Sequence, residues 1–231
     1  MKILALDTAS GQCSAALLLD GALQARSVVT ARDHARLLLP MIDALLVDAG
    51  ITLRQLDGIA FGRGPGSFTG VRVAASVTQG LALGADLPVR PVSDLRALAE
   101  QARRRAASGF GTGSVLACMD ARMGEVYWAA FQLQGGLVGD QEGVERVGSP
   151  ASLLKGIAQC PLLAAGPGLS AHPEIVGRLE LRPDQYFADA EPHAQDVAQL
   201  AALDLGAGAQ WLEPEAAQPV YVRDEVAKIQ G

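Results

Sequence analysis

Aromatic residues make up only 4% of this 231-residue chain, with Trp 2, Tyr 3 and Phe 5. A core must therefore be packed from small aliphatic side chains. The 49% hydrophobic content is enough for one large domain or two modest ones. Cysteine is scarce too. Cys13, Cys118 and Cys160 are odd in number and far apart, which excludes a disulfide framework and reads as reduced, buried thiols of a cytoplasmic protein. Positive charge is short. A formal net charge of −6 argues against a chain that grips nucleic acid by itself, because Lys and Arg carry phosphate affinity. The one basic cluster, Arg103-Arg104-Arg105 with Arg90 and Arg96 upstream, has no aromatic platform and reads as the solvated end of a helix. Long apolar runs are missing as well: the first stops at Asp7 after a single Lys2, so neither a signal peptide nor a membrane span is expected. His34, His172 and His193 are too far apart for a zinc spacing. No Ser-His-Asp or Cys-His constellation can be assembled.

What is present is a glycine-rich turn opening a helix, Gly62-Arg63-Gly64-Pro65-Gly66-Ser67-Phe68-Thr69-Gly70-Val71-Arg72. Glycine is needed where φ is positive or a neighbour comes close, and Pro65 stiffens the approach. The amides of the first helical turn make a ready anion site, and a tight strand-to-helix turn accounts for the pattern equally well. Three familiar motifs do not fit. A phosphate-cradling loop needs Lys where Ser67 and Phe68 stand, a dinucleotide turn needs a small residue where Thr69 stands, and a nucleophile elbow needs Gly where Pro65 stands.

A second pattern repeats. Ile3 to Asp7 reads as a buried strand ending in Asp, with Gly11 four residues on and a returning strand through Leu19; Leu116 to Asp120, with Gly124 and a return from Val126 to Leu133, repeats it. Gly64-Pro65-Gly66 follows the first copy and Gly166-Pro167-Gly168 the second. The recurrence implies duplication, although hairpin turns favour Asp and Gly in any case.

The pattern predicts strands over 2–7, 12–19, 22–29, 57–62 and 87–92. Helices are predicted over 34–49, with Asp33 as cap and Pro40 bringing a kink or a late start, and over 68–84, 94–107 and about 193–205. Ser108 to Ser114 reads as a boundary, giving a first domain over 1–107, a shorter second one over 108–207 and a tail over 208–231 that returns to the first. Strands mixed with crossover helices make this an α/β fold. The helices at 34–49 and 68–84 are apolar on more than one face, which fits burial within the chain and a partner interface equally.

ILALDTAS from Ile3, HARLLLPMIDALLVDAG from His34, GRGPGSFTGVR from Gly62, MDARMGEVYWA from Met119 and PVYVR from Pro219 together resemble the TsaB (YeaZ) family of threonylcarbamoyladenosine biosynthesis proteins. The stretch from Gly62 to Arg72 is the most specific. The resemblance implies a duplicated actin-like fold, of the kind shared by actin and sugar kinases, with a reduced second half. It implies an accessory subunit for threonylcarbamoyl transfer to tRNA, partnered by the larger catalytic paralogue TsaD, with a TsaE-like ATPase in the same system. Alone, the chain would pair with a second copy, and tRNA would be met only through the complex. The implied interface lies on the two apolar helices, at Leu38, Met41, Ile42, Leu45, Val71, Arg72, Ala74, Ala75 and Thr78. In the actin-like fold the hairpin Asp residues face Mg-bound phosphates, so Asp7, Thr8, Ser10, Gly11 and Asp120 are the candidate nucleotide residues, for ATP and Mg held weakly or only in the complex. No catalytic residue is expected. The paralogue's two metal-binding His fall at Asp94 and Leu98 here, and Leu98 cannot bind a metal. The alternative function is an autonomous ATPase or small-molecule kinase of the same fold.

Overall fold

The computed structural model describes residues 1–30, 32–106, 112–134, 137–139, 144–157 and 159–223. The first lobe opens with β1 (Lys2–Asp7), β2 (Gln12–Leu19) and β3 (Ala22–Val29), followed by α1 (His34–Ala49) and β4 (Gly58–Gly62). α2 (Phe68–Ala85), β5 (Val89–Val92) and α3 (Asp94–Arg105) follow. The second lobe contains β6 (Gly113–Arg122), β7 (Glu125–Gln134), β8 (Leu137–Val138), β9 (Arg146–Gly148) and α4 (Pro150–Gly156). It continues through β10 (Leu163–Ala165), α5 (Pro167–Ala171), α6 (Glu174–Arg178) and β11 (Tyr186–Phe187) to α7 (Ala194–Gly206).

The two sheets repeat one topology. The first runs β3-β2-β1-β4-β5, and the second runs β8-β7-β6-β10-β11 with β9 paired to β7. In each, the opening hairpin is antiparallel and the two strands beyond it are parallel to its first strand. Asp7 pairs with Ser14 at the end of the first hairpin, and Asp120 with Val126 near the end of the second. The recurrence read in the sequence is therefore a recurrence of fold, and parallel strands joined by helices supply the buried sheets that a small-aliphatic core can fill.

Packing crosses the expected boundary at 107. Leu95, Leu98, Ala99 and Ala102 of α3 pack with Val115, Ala117, Phe131 and Leu163 of the second sheet. Ala194, Val197, Ala198 and Ala201 of α7 pack with Ile3, Ala5, Ala16 and Ala60 of the first. Each lobe thus receives a helix at the seam, and Arg96 of α3 is fastened to Asp204 of α7 by two hydrogen bonds of 2.9 Å. Beyond α7 the chain returns along the first lobe, where Leu212 bridges Val89 and the Val220 amide donates to the Arg63 carbonyl at 2.7 Å. Of the expected boundary Ser108–Ser114, residues 108–111 lie outside the described residues, as do 224–231 of the tail.

Three local expectations change. Asp33 stands at the N-cap of α1, but its side chain makes no cap bond and pairs with Arg36 at 3.2 Å. α1 begins at His34 and runs through Pro40. Pro40 lies on the exposed face, where the Arg36 carbonyl that loses its donor can meet water. Cys13 and Cys118 are buried thiols, whereas Cys160 is exposed, its thiol donating to the Leu179 carbonyl at 3.2 Å. Among the described residues, no helix is long and apolar enough to cross a membrane.

Candidate functional site

β1 ends in Asp7, and the glycine turn after β4 folds directly against the hairpin that follows it. The Ser67 amide donates to the Ala9 carbonyl at 2.6 Å, and Thr8 Oγ1 donates to the Gly70 carbonyl at 2.7 Å. A Cβ on Gly66 would overlap Ala9, and one on Gly70 would overlap the Thr8 carbonyl, so these two glycines serve close approach. The second lobe repeats the contact: Cβ atoms on Gly166 and Gly168 would meet the backbone of Cys118.

Behind this contact lies a pair of carboxyl groups. Asp7 and Asp94 are both fully buried, and the place where a Cβ would stand on Gly62 touches Asp7 Oδ2 and Asp94 Oδ1 alike. Asp7 Oδ1 accepts from the Ala9 amide at 3.2 Å, and Asp94 Oδ2 accepts from the Gly64 amide. The facing oxygens have no other hydrogen-bond partner. Burial, then the neighbouring Asp7 charge, raises Asp94 well above the ordinary carboxylate range. Burial raises Asp7 too, while its hydrogen bond with Asp94 works in the opposite direction. Two ionised carboxylates cannot persist side by side in such a place, so the buried pair favours keeping a proton between its facing oxygens.

Other charged groups surround the pair without reaching it. Arg63 forks onto Glu145 of the second lobe at 3.0 and 3.1 Å. His34 is buried, with Nε2 at 3.1 Å from the Ser10 carbonyl. Burial raises the pKa of Glu191, with the neighbouring Ser10 working in the opposite direction.

The candidate nucleotide residues are therefore only partly brought together. Asp7 and Thr8 are buried in the hairpin–turn contact, Ser10 accepts from the Gln12 amide at 3.2 Å, and Gly11 is exposed at the hairpin tip. Asp120 is bound to its own hairpin through Arg122, with bonds of 2.8 and 3.1 Å from the amide and the guanidinium. Among the described residues, no hydrogen bond or ion pair joins it to Asp7. In this arrangement the residues do not fit a Mg-nucleotide. Backbone fills the space between hairpin and glycine turn, the Gly64 and Ser67 amides are engaged, and the Asp7 carboxyl is closed off by Asp94. Leu98, the second of the two metal-aligned positions, is buried in the apolar core of the second lobe. Among the described residues, no group of three or more His, Cys, Asp or Glu is placed to hold a metal ion.

Most of the expected interface residues are covered within this chain. Leu38, Ile42, Leu45, Val71, Ala74, Ala75 and Thr78 are 0–3% exposed within this chain, because each helix turns its widest apolar stripe onto the sheet. Met41 is partly buried and Arg72 is exposed. The solvent-facing stripe of α2 is instead Phe68, Arg72, Ser76, Gly80 and Leu83. Between α2 and α1 runs a shallow groove lined by Ala35, Phe68, Thr69, Arg72, Val73, Ser76 and Val77. A Cβ on Gly80 or Gly84 would meet nothing within 4 Å.

The Asp7–Asp94 pair and the Arg63–Glu145 bridge escaped the sequence reading. Ser93-Asp94 signalled a helix start, and Ser93 does cap α3, accepting from the Arg96 amide at 3.2 Å. Nothing local reveals that Asp94 looks back at β1.

A family model described as TsaD, tRNA N6-adenosine threonylcarbamoyltransferase, matches residues 28–230. The tRNA threonylcarbamoyladenosine biosynthesis protein TsaB of Escherichia coli (strain K12) is 38% identical over 231 residues, which cover 98% of this chain and 96% of that protein. The protein of the same name from Haemophilus influenzae is 49% identical over 129 residues, 56% of this chain and 53% of that one. The solved structure of YeaZ from Pseudomonas aeruginosa shares 42% identity at a TM-score of 0.82, with 95% of this chain and 99% of that one covered. With its two sheets of repeated topology on an actin-like fold, the chain belongs to the TsaB (YeaZ) family of tRNA threonylcarbamoyladenosine biosynthesis proteins.

Proposed function

We propose that this chain supports threonylcarbamoyl transfer to the adenosine beside the anticodon of tRNA as a non-catalytic subunit, docked on a TsaD-like catalytic paralogue. The observation that carries this reading is the outer face of α2. Phe68 and Leu83 are 60% and 58% exposed there, with small Ser76 and Gly80 between them. Large exposed apolar side chains beside small residues fit a helix-on-helix contact, because the small positions let a second backbone approach. Leu39 and Val47 of α1, 50% and 69% exposed, extend the same apolar character. The paralogue takes this face, a second copy of the chain takes it when the paralogue is absent, and a TsaE-like ATPase joins the assembled pair.

The site between the lobes supports a non-catalytic role. A fully buried acid–carboxylate pair holds structure and presents no open nucleophile or base to a substrate. tRNA is met through the complex. The basic cluster is neutralised, with Arg103 on Glu100, Arg104 on Asp196 at 3.1 Å and Arg105 on Asp189 at 3.0 Å, so it offers no unpaired charge to phosphates. Reconstitution tests the reading. Threonylcarbamoylation of tRNA by the paralogue should require this chain, and the chain alone should neither modify tRNA nor turn over ATP. ATP turnover by the isolated chain would favour the autonomous-enzyme alternative.

A further inference from the structure

The PVYVR segment near the end of the chain crosses from one lobe to the other, and each of its contacts is specific. The Val220 amide donates to the Arg63 carbonyl at 2.7 Å. A Cβ on Gly64, whose φ is +102°, would come within 2.8 Å of the Val220 carbonyl oxygen, so a glycine there lets the segment lie close against the turn. Tyr221 reaches the docking face. Its hydroxyl accepts from Arg72 Nε at 2.7 Å, and the Arg72 guanidinium lies 3.5 Å above the Phe68 ring and 5.5 Å from the Tyr221 ring. Two residues on, Arg223 reaches the other lobe. It bonds the Ala121 carbonyl at 3.4 Å and the Glu125 carboxylate, on either side of the β6–β7 turn. That turn carries Arg122, Met123 and Gly124, all with positive φ.

We infer that Pro219–Arg223 is a coupling strap: Tyr221 shares Arg72 with the outer face of α2, and Arg223 holds the β6–β7 hairpin, so that occupation of the face and order of the hairpin depend on each other. A partner that takes hold of Arg72 or Phe68 changes what Tyr221 rests on, and Tyr221 is two residues from the anchor of the hairpin. The dependence runs both ways, because coupling between two sites is reciprocal. The inference rests on the proposed use of the α2 face, and the experiment separates the two.

Hydrogen exchange of the amides over 120–126 is followed in the full chain and in Tyr221→Ala and Arg223→Met, with the amides of β1 as a check that the fold is intact. Self-association of the same variants is measured by sedimentation, with Phe68→Ala as a control on the face itself. Both strap variants should speed hairpin exchange about tenfold and leave β1 unchanged. Arg223→Met, remote from the face, should weaken self-association about threefold or more. Unchanged hairpin exchange in Tyr221→Ala would overturn the strap. Unchanged self-association in an Arg223→Met chain with a loosened hairpin would overturn the coupling. If Phe68→Ala also leaves association unchanged, the docking reading is the one that has failed, and the coupling falls with it.

Discussion

Asp94, the first residue of α3, meets Asp7, the last residue of β1, carboxyl to carboxyl across Gly62. The contact is attractive only while at least one of the two groups is protonated. It joins three parts of the chain distant in sequence, since Asp94 also accepts from the Gly64 amide and Asp7 from the Ala9 amide. The glycine turn, the first hairpin and the seam helix are thereby fixed to one point.

Replacing the acid by its neutral isostere tests that proton. Asp94→Asn keeps a donor for Asp7 and should stay within about 1 kcal/mol of the parent, whereas Asp94→Ala leaves Asp7 and the Gly64 amide unsatisfied and should cost about 2–4 kcal/mol. Both groups have pKa values raised in the folded state. The stability they contribute is therefore complete below the ordinary carboxylate pKa and is lost as pH rises through the folded value of the pair. Thermal melts from acid to alkaline pH should show that decline in the parent and a flatter profile in Asp94→Asn.

The turn–hairpin contact gives a sharper steric test. Gly70→Ala drives a methyl group into the Thr8 carbonyl, whereas the same change at Gly11 meets nothing within 4 Å. Urea unfolding should show a loss of about 3 kcal/mol or more for Gly70→Ala, in the range of severe overpacking, and a change within about 0.5 kcal/mol for Gly11→Ala.

His193 caps α7 with Nδ1 accepting from the Gln195 amide at 3.1 Å, and burial lowers its pKa to about 4. A lowered folded value in a histidine means that its stability is present above the ordinary 6.5 and is lost as pH falls towards 4. Asp196, one turn away, is raised by burial to about 6 and so loses its own contribution as pH rises over nearly the same range. His193→Asn, which can still cap the helix, should remove the acid-side loss and leave a profile that only declines from pH 4 to 6. Calorimetric melts at half-unit pH steps check this.

Leu98 stands in the core of the second lobe, at the position to which the family resemblance assigns one metal-binding His of the paralogue. Elemental analysis of the purified chain should find no stoichiometric iron or zinc, and about one tightly held ion per chain would contradict the proposed division of labour.

Much of the architecture is legible in the residues. Continuous apolar runs mark β1 and β2 as buried strands, and the Asp–Gly recurrence anticipates that the second sheet repeats the first. What the residues do not show is which lobe a helix serves. α3 and α7 have ordinary apolar patterns, and the exchange across the seam is decided by sheet faces far away in the chain. The same limit applies to α1 and α2. Periodicity marks Ala74 and Ala75 as small and apolar, a description equally true of a core stripe and of a docking stripe, and only the packed sheet separates them from Ser76 and Gly80. Asp94 is the plainest case, since a helix-start acid and half of a buried acid pair look identical in sequence.

The affinity of the chain for the TsaD-like paralogue, measured by isothermal titration calorimetry with and without Gly80→Glu, tests the outer face of α2 most directly. Gly80 is exposed, with open space at its Cβ, so circular dichroism and melting of the isolated variant should match the parent. Burying an unpaired carboxylate in the docked helices costs several kcal/mol, and binding should weaken by about a hundredfold or more. A folded Gly80→Glu chain that binds the paralogue as tightly as the parent would contradict the docking face and, with it, the proposed way in which this chain supports the transfer.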